Sequence, residues 1–543
     1  MQNRKPWGWG VVGGGLGDAA HANLTELAAG LLGVGPTSPI ESPIPDARAL
    51  PKGRLSPADI PGCPSSSEPL DRARHTYGQA LRDVVRALEG DFEPAPDLIA
   101  HPRSEAEVEA VLETCDRRGF AAIPFGGGTS VVGGIEGRGL RGAFPGVVSV
   151  DLTGLDRVLE LDPTSQLARI QAGSLGPVLE DQLRAQGFTL RFFPQSFEFS
   201  TLGGWIATRA GGHFATRWTH IDDLTSAVRL LTPRGWLETP VLPASGAGPD
   251  PNAMVLGSEG AFGVITEATV RVRRRPRRRA SVGVRFDDFF AGARAVRGLV
   301  QSGLAPAQCR LLDPTEAMLN GADFTGRSVL VLGFESADLD PAPDLSRALE
   351  LVRDHGGVGD APRISGNSGP EGPEAQNGSG HDPDAELSQW RRMFLSGPYL
   401  RDHMVRCGLI AETFETACPW RTFEGLVEEM RDEVGRIAGE VCGTALVTCR
   451  LTHLYPDGPA PYFTVIAPGG GHGARVGQWD AIKAGAMEVL ARCGGTITHH
   501  HAVGRDHLPG YERERPHLHA EVLAATKRTL DPRGILNPGV LGI

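Results

Sequence analysis

"PFGGGTSVVGG", Pro124 to Gly134, packs five glycines and a Thr-Ser pair into eleven residues, directly after the apolar run Phe120–Ile123. An apolar run that stops at glycines reads as a strand feeding a loop. Two readings of that loop stand side by side. Glycine tolerates conformations other residues avoid, so the loop could be a flexible surface turn. Consecutive N–H groups can also converge on an anion where no Cβ blocks its approach, so the loop could cradle a phosphate. No Gly-Lys-Ser/Thr follows, which excludes a P-loop. Val131–Gly137 opens no obvious helix, which argues against a Rossmann fingerprint.

The same combination of small hydroxyl residues and glycines recurs twice. "PQSFEFSTLGGWIATRAGG" (Pro194–Gly212) carries Ser200, Thr201, Gly203, Gly204 and Thr208, and "GSEGAFGVITEATV" (Gly257–Val270) carries Glu259, Gly263 and Ile265. Around them the chain alternates short strands and helices. "EAEVEAVLETCDRRG" has helical apolar spacing and a terminal glycine. "AAIPF" and "GVVSVDLT" read as strands, "RVLELDPTSQLARIQAG" as a hairpin, and "SLGPVLEDQLRAQG" as a helix closed by Gly187. Three such loops in one α+β region suit a large dinucleotide lying along a single cleft.

At 543 residues the chain is too long for one ordinary core, and length suggests two to four domains. A net charge of −11 disfavours a nucleic-acid partner. The basic run Arg271–Arg279 ("RVRRRPRRR") reads as a solvated strand end or an anion patch. None of the eight cysteines forms a CxxC pair, so they read as reduced core thiols of a cytosolic protein. "MQNRKPWGWG" lacks the apolar core of a signal peptide, and no apolar stretch is long enough to span a bilayer. The first ~70 residues read as an extended arm over a domain, with Trp7 and Trp9 docking somewhere, because indoles are rarely left in water. From residue 281 the pattern predicts helices over Arg285–Gln301 and Asp344–His355 and a strand at "RSVLVLGFES". Gly359–Glu386 is polar and rich in Gly, Pro and Ser, and reads as a mobile insertion or a lid.

In order and spacing, the three glycine segments resemble the FAD-binding domain of the vanillyl-alcohol oxidase/p-cresol methylhydroxylase flavoproteins over roughly Leu98–Arg273. With "KPWGWG", "RLLDP", "ETFETACPW", "YFTVIAPG" and "THHHAVG" added, the chain from about Lys5 onward resembles the alkyldihydroxyacetonephosphate synthases, which make the ether bond of ether lipids. The resemblance implies an α+β fold: a two-subdomain FAD-binding domain plus an α+β cap with an antiparallel sheet and flanking helices. The implied layout is an N-terminal arm and helical leader at 1–96, the FAD domain at 97–280, the cap at 281–495 with the insertion 359–386, and a C-terminal His loop and helix at 496–543.

It further implies FAD held by Pro124, Phe125, Gly126, Gly127, Gly128, Thr129, Ser130 and Val131, with Pro194, Ser200, Thr201, Gly203, Gly204, Thr208, Glu259, Gly263 and Ile265. In relatives with covalent histidyl flavin the histidine follows the glycines of the first loop. Thr129-Ser130 stands there, so the FAD is expected to be non-covalent. His499, His500 and His501 read as a strand end, where alternate residues face opposite sides. A structural cluster or an adventitious metal site competes with proton transfer. The spacing offers no fourth ligand, so no metal is expected. The resemblance makes this loop an acid/base element, His500 and His501 ahead of His499.

Tyr462 is either a core tyrosine or, by resemblance, a catalytic acid/base. Arg310 and Arg401 are either salt-bridge partners or anchors for the substrate phosphate, with Arg450 a further candidate. Glu198, Asp222 and Asp223 could meet flavin or ribose hydroxyls, but read chiefly as turn caps. The implied reaction takes a proton from C1 of acyl-dihydroxyacetone phosphate, attaches C1 to flavin N5, releases the fatty acid and adds a fatty alcohol. The partners are therefore a phosphate-bearing lipid-like substrate and a fatty alcohol, with peripheral membrane contact and a homodimer as expectations. Two readings compete: an FAD-dependent oxidoreductase acting on a 2-hydroxy acid or another small alcohol, and a flavin-binding protein without turnover.

Overall fold

The computed structural model of the chain describes residues 4–12, 18–35, 38–40, 48–365 and 385–543. Three sheets organise it. The first runs in the order Ser65–Ser66, Leu98–Ala100, Val147–Asp151, Ala121–Phe125, and its last three strands are parallel. Helix Glu105–Arg118 covers it. Ser104 accepts the Glu107 N–H at the helix start, and Gly119 closes the end at φ +68°, the left-handed cap glycine adopts at least cost. The C-terminal segment returns to this sheet's outer edge. Ala122 N–H donates to the Ile535 carbonyl at 2.8 Å and Asn537 N–H to the Ala122 carbonyl at 2.9 Å.

The second sheet is antiparallel, in the order Val158–Asp162, Leu167–Gln171, Val264–Arg271, Thr225–Thr232, Gly235–Glu238. Helices Gly176–Arg184 and Leu202–Thr208 bury Leu179, Leu183, Trp205 and Ile206 against it. The expected hairpin and the helix ending before Gly187 are both present. The basic run leads out of this sheet. Arg274 pairs with Asp338 at 2.7 Å, and the Arg273 guanidinium stacks 3.9 Å from the Trp218 ring centroid.

The third sheet forms the cap. Its strands run Val358–Gly359, Arg278–Phe286, Ser328–Ser336, Gln308–Leu312, Leu446–Leu454, Pro459–Pro468, Leu409–Glu415, all antiparallel. Side chains alternate across a strand, and that period sorts core from site. Cys309, Leu311, Cys449, Leu451, Phe463 and Val465 pack into a core with Phe423 and Trp479 from helices Trp420–Cys442 and Ala474–Cys493. Their neighbours Arg310, Arg450, Tyr462 and Thr464 face the opposite side, toward the first two sheets.

Two expectations are corrected here. Arg285 and Phe286 are not helical. They end strand Arg278–Phe286, and the helix starts at Phe289 after Asp288, whose carboxylate accepts the Phe290 and Ala291 N–H groups. The β-rich stretch before Asp288 has apolar alternation that overlaps the helical pattern, and only the cap marks the boundary. His499–His501 are not at a strand end but in a loop after helix Ala474–Cys493. Of the polar stretch 359–386, Gly359 and Arg363–Ser365 pair with strand Arg278–Phe286, whereas 366–384 lie outside the described residues. The eight cysteines are free, and no described helix is long and apolar enough to cross a membrane.

Candidate active site

The cleft between the three sheets is one continuous cavity. On one side strand Ala121–Phe125 ends in the glycine loop. A Cβ on Gly127 would overlie the Phe199 carbonyl, 2.6 Å from its carbon, and Gly128 sits at φ +63° beside the Phe125 ring. No backbone N–H from Gly127 to Val131 donates to another described residue. Buried donors are nearly always paired, so five consecutive N–H groups at a cavity wall fit a polyanionic ligand. The turn reading lacks an account of them.

The second segment is packed equally tightly. Thr201 caps helix Leu202–Thr208, accepting the Gly204 N–H at 3.2 Å, and Ser200 Oγ accepts Trp205 Nε1–H at 2.7 Å. Gly203 presses on Ala172, with 2.8 Å left for a Cβ. In the third segment Glu259 adopts φ +50° and its carboxylate accepts the N–H groups of Val503 (2.9 Å) and Gly504 (2.8 Å). Glu259 borders the cavity, yet its carboxylate braces the C-terminal loop. Burial pushes it up to about 7 against those two hydrogen bonds.

All the residues expected to hold the cofactor line this cavity, from Pro124 through Val131 to Pro194, Ser200, Thr201, Gly203, Gly204, Thr208, Glu259, Gly263 and Ile265. So do Arg310, Arg401, Arg450, Tyr462, His500 and His501. His499 does not line it. Its Nε2 meets the Tyr455 hydroxyl at 2.7 Å and His220 Nε2 at 3.0 Å behind the wall. Glu198 accepts the Tyr399 hydroxyl, Asp222 pairs with Arg209, and Asp223 accepts the His220 N–H.

The histidine loop is shaped by a residue that the motif reading passed over. Glu415, at the end of strand Leu409–Glu415, is buried and accepts backbone N–H groups from His499 (2.6 Å), His500 (3.1 Å) and His501 (3.0 Å), plus the Thr498 hydroxyl (2.6 Å). Burial pushes its carboxyl upward, but His501, His499 and these donors outweigh it and leave it down at about 2. Burial, followed by the neighbouring His501 and His453 rings, drives His500 well below its ordinary value. Burial also lowers His501, with Lys483 adding to the effect and Glu415 opposing it. Both rings are therefore neutral near pH 7 and able to accept a proton. His453 was likewise missed. It donates through Nε2–H to the Gly212 carbonyl (2.9 Å), and a ring nitrogen comes within 4.8 Å of those of His499 and His500. Spacing along the chain therefore does not exclude a metal, because the third imidazole arrives from a distant strand.

Tyr462 sits across the sheet register from both Glu415 and Arg450. Its hydroxyl donates to Thr413 Oγ1 at 2.9 Å, and the Arg450 guanidinium lies 4.0 Å above its ring. Burial raises the phenol and the Arg450 charge opposes the rise. Arg450 pairs with Glu316 at 2.5 Å, and Arg401 with Asp402 at 2.7 Å and Glu412 at 3.7 Å. Arg310 reaches the His213 carbonyl at 3.4 Å. Burial, then the nearby Arg450, depress it to about 9, a penalty that a phosphate dianion in the cavity would relieve.

A flavin cleft between a glycine-looped α+β domain and an antiparallel cap defines the class. Residues 96–239 match the family described as FAD binding domain, and residues 275–541 match FAD linked oxidases, C-terminal domain. The fold superposes on substrate-bound p-cresol methylhydroxylase with a TM-score of 0.66 at 13% identity, covering 97% of this chain and 98% of that one. The protein is an FAD-binding flavoenzyme. Within that class the chain is 31% identical to alkyldihydroxyacetonephosphate synthase of Dictyostelium discoideum over 86% of this chain and 77% of the relative. A solved alkyldihydroxyacetonephosphate synthase superposes with a TM-score of 0.74 at 26% identity, covering 93% of this chain and 87% of that one. The chain belongs to the alkyldihydroxyacetonephosphate synthase family.

Two outcomes follow from this geometry. Gly127→Val should abolish FAD retention, since its side chain needs the space of the Phe199 carbonyl; full flavin occupancy on purification would contradict this. Glu415→Gln should cost about 3 kcal/mol or more, the scale for breaking a buried charged network. The folded-state carboxyl at about 2 lies below its ordinary 4.5, so its stabilisation is complete above pH 4.5 and lost as pH falls toward 2. Acid titrations followed by circular dichroism should show the stability gap between wild type and variant closing over that window.

Proposed function

We propose that this chain exchanges the acyl group of acyl-dihydroxyacetone phosphate for a fatty alcohol, forming an ether bond with no net redox change. The observation that carries this reading is the convergence of Tyr462, neutral His500 and His501, and the buried Arg310 on the same cavity as the glycine loop. Bound FAD supplies the electrophilic centre. Arg310, a buried guanidinium on the cavity wall, anchors the substrate phosphate. Arg401 and Arg450, already paired with carboxylates, shape the site, and Arg450 holds the Tyr462 ring. His500 or His501 takes the proton from C1, and Tyr462, kept as a neutral phenol, returns a proton to the departing carboxylate. The second proton exchange, from the incoming alcohol, uses the same groups in reverse. The walls at Leu319, Leu400, Met404 and Ile466 suit an alkyl chain. The FAD is held non-covalently, supported by Thr129 and Ser130 at the loop, and acid precipitation should leave the flavin in the supernatant.

The test is anaerobic mixing with palmitoyl-dihydroxyacetone phosphate and hexadecanol. Ether product with the flavin returning to its oxidised spectrum supports the reading. Flavin reduction by D-lactate, without ether product, would replace it with the 2-hydroxy-acid oxidoreductase. Tyr462→Phe should keep flavin content and lose about 1 kcal/mol of stability with the Thr413 hydrogen bond. Ether formation should fall on the order of 10²–10⁴-fold. Normal turnover with a lowered Tm would make Tyr462 a core residue.

A further inference from the structure

The N-terminal stretch "RKPWGWGV" lies outside both matched domains, yet it reaches the cofactor cavity. Residues 4–11 form a tight hairpin: Lys5 N–H donates to the Gly10 carbonyl at 3.1 Å, Arg4 bridges Val11, and Gly8 and Gly10 adopt φ +60° and +100°. The hairpin is pinned from three directions. Arg74 Nε donates to the Arg4 carbonyl at 2.8 Å. The Trp9 backbone N–H donates to the Asp402 carboxylate on helix Ala385–Arg406. The Trp9 ring meets Phe199 edge-on at 5.5 Å.

Those contacts place Trp9 at the cavity wall with 4% of its surface exposed. Its indole Nε1–H is buried and has no hydrogen-bond partner among the described residues. Packing explains the ring, but not a donor left unmade, which ordinarily costs more than its hydrogen bond would contribute. The donor is also next to the right ligand. Phe199, on which the ring rests, is the residue whose carbonyl closes over Gly127 in the cofactor loop, and the Arg4 guanidinium lies 3.3 Å from where a Gly128 Cβ would be. That loop, whose N–H groups from Gly127 to Val131 have no partner among the described residues, lines the same cavity as Trp9. An indole N–H and a run of loop amides on the wall of one cavity, with the Arg4 cation stacked on Phe199 beside them, match a diphosphate.

We propose that Trp9 is a cofactor-binding residue whose indole N–H donates to a phosphate oxygen of the FAD diphosphate, so that hairpin 4–11 completes the site from outside the FAD domain. This rests on FAD binding alone and is independent of the ether-forming reaction. Apoprotein prepared from wild type and Trp9→Phe is titrated with FAD, and the Trp9 indole ¹⁵N–¹H resonance, assigned by its absence in the variant, is followed during loading of wild type. The expected result is a roughly tenfold weaker Kd in Trp9→Phe, the scale of one charge-assisted hydrogen bond, with a downfield indole proton on loading. An unchanged Kd would overturn the proposal, as would an indole resonance unmoved by FAD. So would a raised KM for acyl-dihydroxyacetone phosphate at unchanged FAD affinity, which would hand the donor to the substrate's phosphate. If Trp9→Phe folds poorly, a second variant, Trp9→Tyr, supplies the assignment, and the wild-type resonance still decides the matter.

Discussion

The loop from Thr498 to Gly504 exists in its observed shape because two buried carboxylates grip it from opposite sides. Glu415, from the cap sheet, holds the amides of three consecutive histidines and the Thr498 hydroxyl. Glu259, from the FAD domain, holds the amides of Val503 and Gly504. Backbone N–H groups in an irregular buried segment must find acceptors, and a carboxylate can accept several at once. The same two residues therefore solve the loop's hydrogen-bond problem and tie the two domains together across the cavity. The imidazoles of His500 and His501 are aimed at the cleft as a consequence, and burial keeps them neutral.

Charge is distributed in this site by pairing at its margins. Arg450 with Glu316, and Arg401 with Asp402 and Glu412, carry their countercharges with them. Such pairs add little net stability when buried, but they hold rigid, planar groups in fixed places. Arg450 uses that rigidity to stack on Tyr462. At Arg310, burial and the neighbouring Arg450 both disfavour the charge.

Much of this was legible along the chain. A backbone that must approach a diphosphate or a neighbouring carbonyl requires glycine, so the cofactor loop appears as composition at Gly126–Gly128 and again at Gly203–Gly204. Tyr462 and the histidine run were legible through motif resemblance. The contribution of Glu415 was hidden inside "ETFETACPW", because nothing local separates a carboxylate that accepts four hydrogen bonds from one that faces water. His453 was silent for the same reason, and the helical reading of Arg285–Phe286 failed because short apolar alternation is compatible with either period.

The sequence by itself determined the class of cofactor, the strand-and-glycine framework that cradles it, and the residue types available for acid/base work, since each is a local constraint written in neighbouring positions. Only the tertiary structure decided which of them meet. His499 turns away from the cavity toward Tyr455 and His220, and the Glu259 carboxylate braces a loop 244 residues away. The arm's Trp9 arrives beside the cofactor loop through Asp402. Hydrogen bonds and burial act through space, and these particular contacts leave no periodic or compositional trace along the chain.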